Sequence, residues 1–188
     1  MTEKILLHVC CASCAIGAFE ALREESFDPV GYFCNPNIHP LIEFRRRLKA
    51  VKVLRDRLKL DIECDENYGL REFLHAVTGS EDERCPICYS LRFDAACAKA
   101  KELGIGLVTT TLFGSPHQDH EIMARVGKEE ASKHGVEFVV RDFRSRHQLG
   151  KEKARAMKLY SQQYCGCIFS EYERYKNSGL HLYKEGSK

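Results

Sequence analysis

The amino-acid sequence predicts an α/β fold, a single-domain parallel sheet with helices on both faces. Three observations predict it. Short apolar or β-branched runs alternate with segments of helical period, the pattern of right-handed βαβ units. The first run, Lys4–Val9, is apolar in the continuous way of a strand buried on both sides. Gly, Pro and Asn clusters punctuate the junctions between runs.

Each element has its own justification. After the first strand, Cys14–Glu24 places Ile16, Phe19, Ala21 and Leu22 at helical spacing, with Ser13 as the expected cap. Asp28-Pro29 reads as a turn, Val30–Cys34 as a second strand, and Asn35-Pro36-Asn37 as the loop that ends it. Leu41–Leu58 forms a long amphipathic helix with a basic face, and Asp61–Cys64 a short third strand. Leu70–Val77 is helical and stops at Thr78-Gly79-Ser80. Pro86 suits the first turn of a helix that runs to Leu103 and stops at Gly104-Ile105-Gly106. Leu107–Leu112, rich in β-branched residues, is the fourth strand, broken by Gly114-Ser115-Pro116. Asp119–His134 is helical and closed by Gly135; Val136–Val140 is the fifth strand. Gly150–Gln163 is helical, and Ser170-Glu171-Tyr172-Glu173 has the form of a capping box that opens a last helix.

At 188 residues the chain suits one domain, 1–188, with segments 65–90 and 145–188 as excursions that cover a cleft. A hydrophobic fraction of 44% and a charged fraction of 30% are those of an ordinary globule with a sizeable core. A net charge of +2 neither demands nor excludes a polyanionic partner, so the distribution of charge has to decide. The apolar stretch Ile5–Ala18 has almost no basic segment before it and is interrupted by His8, so it is not read as a secretion signal. No apolar run is long enough for a membrane span. A cytoplasmic, non-membrane protein is the expectation.

The outlier is the count of 10 cysteines. They come in tight groups rather than spread out as loop staples, and in a reducing compartment such groups bind metal or do redox work. Cys10, Cys11 and Cys14 fall within five residues at the carboxyl end of the first strand, with Cys14 near a helix N-terminus, where partial positive charge favours thiolate. Cys85 and Cys88 share one helix face at i and i+3. These two groups are compatible with an iron–sulfur cluster, with tetrahedral zinc, or with dithiol redox chemistry, in that order. Cys165-Gly166-Cys167 is different: that spacing disfavours chelation of one ion by both sulfurs and allows an easily reduced disulfide. Cys34, Cys64 and Cys97 sit inside apolar patterns as core fillers.

In a parallel sheet, ligands collect outside the carboxyl ends of the strands. The first cysteine group, the Asn35–Pro40 loop and the Ser115–His120 loop are therefore expected at one cleft. His39, His117 and His120 are candidate proton carriers there, and Asp119 is a candidate carboxylate that also suits a helix cap. Basic residues concentrate in two runs. One holds Arg45, Arg46 and Arg47 and continues to Arg57; the other passes from Arg141 through Arg144 and Arg146 to Lys158. Two such runs on a balanced chain fit phosphate contacts. Tyr160, Tyr164 and Phe169 beside the second run suit stacking on an unpaired base. No glycine-rich phosphate loop is present.

Taken together, Leu7-His8-Val9-Cys10-Cys11-Ala12-Ser13-Cys14, Asn35-Pro36-Asn37-Ile38-His39-Pro40, Arg84-Cys85-Pro86-Ile87-Cys88, Thr109-Thr110-Thr111-Leu112 with Ser115-Pro116, Asp142-Phe143-Arg144 and Tyr164-Cys165-Gly166-Cys167 resemble the epoxyqueuosine reductases of the QueH type. Ser13 stands where that family usually has proline, and His117 and Asp119 stand where tyrosine and asparagine are expected. The resemblance implies a Rossmann-like fold similar to that of the adenine nucleotide α-hydrolases. It implies cobalamin-independent reduction of epoxyqueuosine to queuosine in the anticodon loop of tRNA, with electrons from an external donor. It also implies a 4Fe–4S cluster beside a mononuclear iron. By motif, Cys10, Cys11, Cys85 and Cys88 are the implied cluster ligands, and Cys165 and Cys167 the redox-active pair. Cys14 and Asp119 are candidates for the second iron, and His117, His120 or Asp119 for the acid that protonates the leaving oxygen. A zinc-stabilised nucleic-acid-binding module is the rival expectation.

Overall fold

The computed structural model describes residues 2–178; the last part of the expected excursion 145–188 lies outside the described residues. Five parallel strands lie in the order β3-β2-β1-β4-β5. The strands are β1 (Glu3–His8), β2 (Phe27–Phe33), β3 (Ile62–Cys64), β4 (Leu107–Thr110) and β5 (Glu137–Phe138). The helices are α1 (Ala12–Glu24), α2 (Leu41–Leu58), α3 (Leu70–Val77), α4 (Arg84–Glu102), α5 (His120–His134), α6 (His147–Ala156) and α7 (Ile168–Tyr175). The predicted α/β class and parallel sheet are therefore what the chain forms. Ile5, Leu6 and Leu7 of the central strand are wholly buried, as their unbroken apolar run requires. No helix among the described residues is long and apolar enough to cross a membrane.

After β1 the chain adds β2 and β3 on one side, then returns to add β4 and β5 on the other. The order reverses between β1 and β4, so the crevice for a ligand opens outside the carboxyl ends of those two strands. Several local expectations need correction. Asp28-Pro29 lies inside β2, where Pro29 pairs in register with Ile5. The Gly31 amide donates to Asp61 O at 2.7 Å on the β3 side, so the nitrogen two residues earlier, that of Pro29, faces the same side. β3 reaches only Gly31–Phe33, so the proline breaks no ladder bond there. Strand β4 stops at Thr110 and tightens into a 3₁₀ turn, Thr111–Gly114, whose Leu112 amide is taken by the Thr110 hydroxyl. Helix α1 starts at Ala12 after Cys11, with no side-chain cap, so Ser13 does not cap it. Helix α6 ends at Ala156 instead of Gln163, and α7 is capped by Cys167 instead of Ser170.

Candidate active site

At the switch point the chain leaves β1 through Val9, Cys10 and Cys11. The Cys10 amide donates to Thr111 Oγ1 at 3.0 Å, and the same hydroxyl donates to Cys10 Sγ at 3.2 Å, which ties the ends of β1 and β4 together. Below them His8 is buried. Its Nε2 lies 3.1 Å from Cys34 O, which can only accept, so Nε2 carries the proton and Nδ1 takes one from Thr110 Oγ1 at 2.9 Å. Burial, followed by the nearby Arg92 charge, holds His8 neutral with its pKa lowered to about 3.

The sulfurs of Cys10, Cys11 and Cys14 all lie within 4.8 Å of one another at the uncapped N-terminus of α1. Cys10 Sγ is 3.8 Å from Cys11 Sγ, and Cys11 Sγ is 3.4 Å from Ser13 Oγ. Hydrogen bonds with Cys10 and Cys14 pull Cys11 well below an ordinary thiol, whereas bonds with Cys10 and Cys11 push Cys14 up and the bond with Cys11 pushes Cys10 to about 12. Three crowded sulfurs do not all ionise unaided, and a cation among them relieves that repulsion. Their chemistry fits a thiolate-bound metal.

The Cys165-Gly166-Cys167 loop faces the same cleft, about 610 Å³ in volume, whose walls include Cys10, Cys14, His117, Gln118 and Cys165. Helix α6, the following segment and α7 form one wall, with His147, Lys151 and Arg174 among its residues. Gln118 Nε2 donates to Cys165 Sγ at 3.4 Å, and its Oε1 accepts from Tyr89 OH at 2.8 Å. Cys167 is buried, and its sulfur accepts from Ser170 N at 3.4 Å. It packs with Cys88, Phe73 and Val77 in a small apolar cluster that brings the second thiol group to the third. Burial pushes Cys88 up to about 12, against the pull of Arg92. Cys85 is exposed one turn earlier on α4.

Two features behind the loop fix its path. Gly166 has φ +146°, and a Cβ there would stand 3.2–3.3 Å from Asn37, Arg47 and Ile38, so only glycine fits. Its carbonyl accepts from the His39 amide at 2.8 Å, and Tyr164 OH donates to His39 O at 2.6 Å. Arg47 corrects an expectation: it is not on the basic face of α2 but 2% exposed beneath this loop. It donates to Glu43 Oε1 at 2.7 Å, Cys165 O at 2.8 Å and Tyr164 O at 2.9 Å. Tyr160 OH donates to the other Glu43 oxygen.

The remaining candidates separate by position. His117 is exposed and lines the cleft. His120 donates from Nε2 to Ser115 O at 3.1 Å and packs against Phe113, and Asp119 caps α5 through Ile122 N at 2.9 Å. Neither is among the residues that line the cleft. The Asn35–Pro40 loop supports the site from behind, with Asn35 Nδ2 on Val9 O at 2.9 Å and His39 buried between Tyr68 and Phe73. Arg45 and Arg46 are exposed, and Arg46 sits over the Tyr160 ring at 5.7 Å. Arg144 is paired with Asp142 and Arg146 with Glu24. Cys165 and Cys167 are both free thiols, the reduced form of the expected redox pair. Gln118 and Lys151 fall within the expected cleft loop and the second basic run, whereas Tyr89, Arg174 and Arg92 have no counterpart among the expectations. Only Arg92 left a signal, seven residues after Cys85 and four after Cys88 on one helical face.

Fold and site together define a parallel α/β protein with three thiols, Cys10, Cys11 and Cys14, gathered at the switch point of its sheet, while Cys88 packs with Cys167 and neither Cys85 nor Cys88 joins that trio or lines the cleft. Residues 5–173 match the family described as epoxyqueuosine reductase QueH. The chain belongs to the QueH family. Curated relatives bear the same name. The protein of Dehalococcoides mccartyi is 36% identical over 93% of this chain and 96% of its own. That of Helicobacter pylori is 37% identical over 88% of this chain and 49% of its own. That of Thermotoga maritima is 31% identical over 90% of this chain and 91% of its own. Among solved structures, the glycosyltransferase SnogD from Streptomyces nogalater superimposes with a TM-score of 0.38 at 12% identity, covering 72% of this chain and 43% of that one.

Proposed function

We propose that this chain removes the epoxide oxygen of epoxyqueuosine in the anticodon loop of tRNA, leaving the alkene of queuosine, without cobalamin. The observation that carries the reading is the meeting of Cys10, Cys11 and Cys14 within 4.8 Å on a cleft that also holds Cys165. Cys10, Cys11, Cys85 and Cys88 would hold a 4Fe–4S cluster, and Cys14 would face an adjacent mononuclear iron. When bound, that group supplies electrons one at a time from an external donor and a Lewis-acid iron beside the epoxide.

The chain's own residues do the rest. Loss of the oxygen as water takes two electrons and two protons. His117, on the cleft wall and open to solvent, delivers a proton from its imidazole to the departing oxygen. The Cys165 and Cys167 thiols supply those two electrons and two protons when they close to a disulfide, one of the protons passing through His117, and the external donor then returns the pair to thiols. Gln118 orients the Cys165 sulfur, and the Arg47 fork holds the loop so that the sulfur points into the cleft. Lys151 and Arg174 on the cleft wall, with Arg45, Arg46, Arg144 and Arg146 farther out, meet the phosphates of the tRNA. Segment 65–90 and the described part of 145–188, residues 145–178, cover the bound base, and the setting is the cytoplasm.

The test is anaerobic purification followed by metal and sulfide analysis, with turnover of epoxyqueuosine-bearing tRNA. A brown protein with iron, acid-labile sulfide and activity is expected. A colourless protein that holds a single zinc and binds tRNA without turnover would replace this reading with a zinc-stabilised nucleic-acid module, which the same thiol trio also suits.

A further inference from the structure

The chain buries two arginines completely, and they differ in one respect. Arg47 has a carboxylate, Glu43, and two backbone carbonyls. Arg92 has none of the first. It is 2% exposed; Nε donates to Cys88 O at 3.1 Å, the guanidinium lies 5.7 Å from the centre of the Tyr89 ring, and Nη2 has no partner. Among the described residues no carboxylate forms an ion pair with it.

A buried cation without a counter-charge is strongly unfavourable, and a folded protein retains one where an anion answers it. The groups around Arg92 narrow that anion's chemistry. On the β1 side stands His8, held neutral by its two hydrogen bonds. Otherwise the charge acts on the Tyr89 hydroxyl and on thiols: Cys88 on its own helix, Cys165 from the loop and Cys10 from the end of β1. Cys85, Cys88 and Arg92 share one face of α4, so the guanidinium stands directly behind the second thiol group.

We infer that Arg92 is the buried counter-charge of an anionic metal–thiolate centre shared by the Cys10 and Cys88 groups. The inference rests on the cluster reading above and adds a role for a residue outside the ligand set. A fixed positive charge behind such a centre stabilises its reduced, more negative state and raises its midpoint potential. The same charge is a burden to the metal-free chain, in which no carboxylate among the described residues answers it and Nη2 has no partner.

Arg92→Met and Arg92→Lys, made in the full chain and loaded anaerobically with iron and sulfide, test this by readouts other than turnover. In R92M the midpoint potential from an EPR-monitored titration is expected to move to more negative values, and iron to leave faster to a chelator. The metal-free R92M chain is expected to melt at or above the temperature of the metal-free parent. R92K, which keeps the charge, is expected to stay close to the parent in potential. An R92M protein with full iron, an unchanged potential and unchanged chelator kinetics overturns the inference. Should R92M take up no cluster, R92K decides: uptake restored by the retained charge supports it, and an empty R92K protein overturns it. A parent chain that loads no iron and sulfide overturns the cluster reading itself, and is seen before any variant is compared.

Discussion

Arg47 shows how one residue changes meaning between sequence and structure. As the third of three consecutive arginines it looks like solvated charge, yet it is the post on which the Cys165–Cys167 loop hangs. Arg47→Met leaves the Glu43 carboxylate buried with only Tyr160 as a partner. Urea denaturation is expected to show a loss of about 3–5 kcal/mol, the usual penalty for breaking a buried pair from one side. Alkylation of Cys167 should quicken in the same protein, and Arg47→Lys should lose less, since it keeps the charge without the fork. His39 gives a pH-dependent counterpart. Burial lowers its pKa from 6.5 to about 4, so the folded chain refuses a proton that the unfolded chain accepts. Its contribution to stability is complete above pH 6.5 and is lost as pH falls toward 4, at no more than about 1.4 kcal/mol per pH unit. Stability measured between those pH values should fall less steeply in His39→Leu.

Among the elements, the pairing of α1 with α6 matters most to the cleft, because α6 carries His147 and Lys151 on its wall. Two glycines make the approach possible. A Cβ on Gly17 would stand 2.8 Å from Arg146 Cβ, and one on Gly150 would run into the Ser13 carbonyl. Gly150→Ala must push α6 off α1, and a destabilisation of about 1–3 kcal/mol in thermal melts is expected. A smaller apparent affinity for tRNA should accompany it, because the displaced helix carries Lys151. Helix α1 itself presents an uncapped N-terminus to three sulfurs, so its first-turn amides favour negative charge at the metal site.

For the whole molecule, charge is distributed differently from its first appearance. Arg144 and Arg146 of the second basic run already have carboxylate partners. Lys151 and Arg174, which line the cleft, form no ion pair among the described residues. Lys151→Glu combined with Arg174→Glu should therefore weaken tRNA binding more than Arg144→Glu. Each phosphate that is no longer neutralised should flatten the dependence of log K on log salt by about 1. A binding titration across a range of salt concentrations checks both statements.

The sequence by itself determined the α/β class, the parallel sheet and the three thiol groups, because those depend on local period and on residue type. It also placed Cys10 at a strand end, and therefore near the mouth of the sheet. Element ends were harder: Pro29 sits in a strand because β3 is short, a property of another segment of the chain. Which thiols meet, and which arginines lose their water, was decided by tertiary structure alone. Arg47 is buried by Tyr164 and Cys165, 117 and 118 residues away along the chain. Burial of a charge is set by what packs over it, and no local pattern encodes a neighbour that far off.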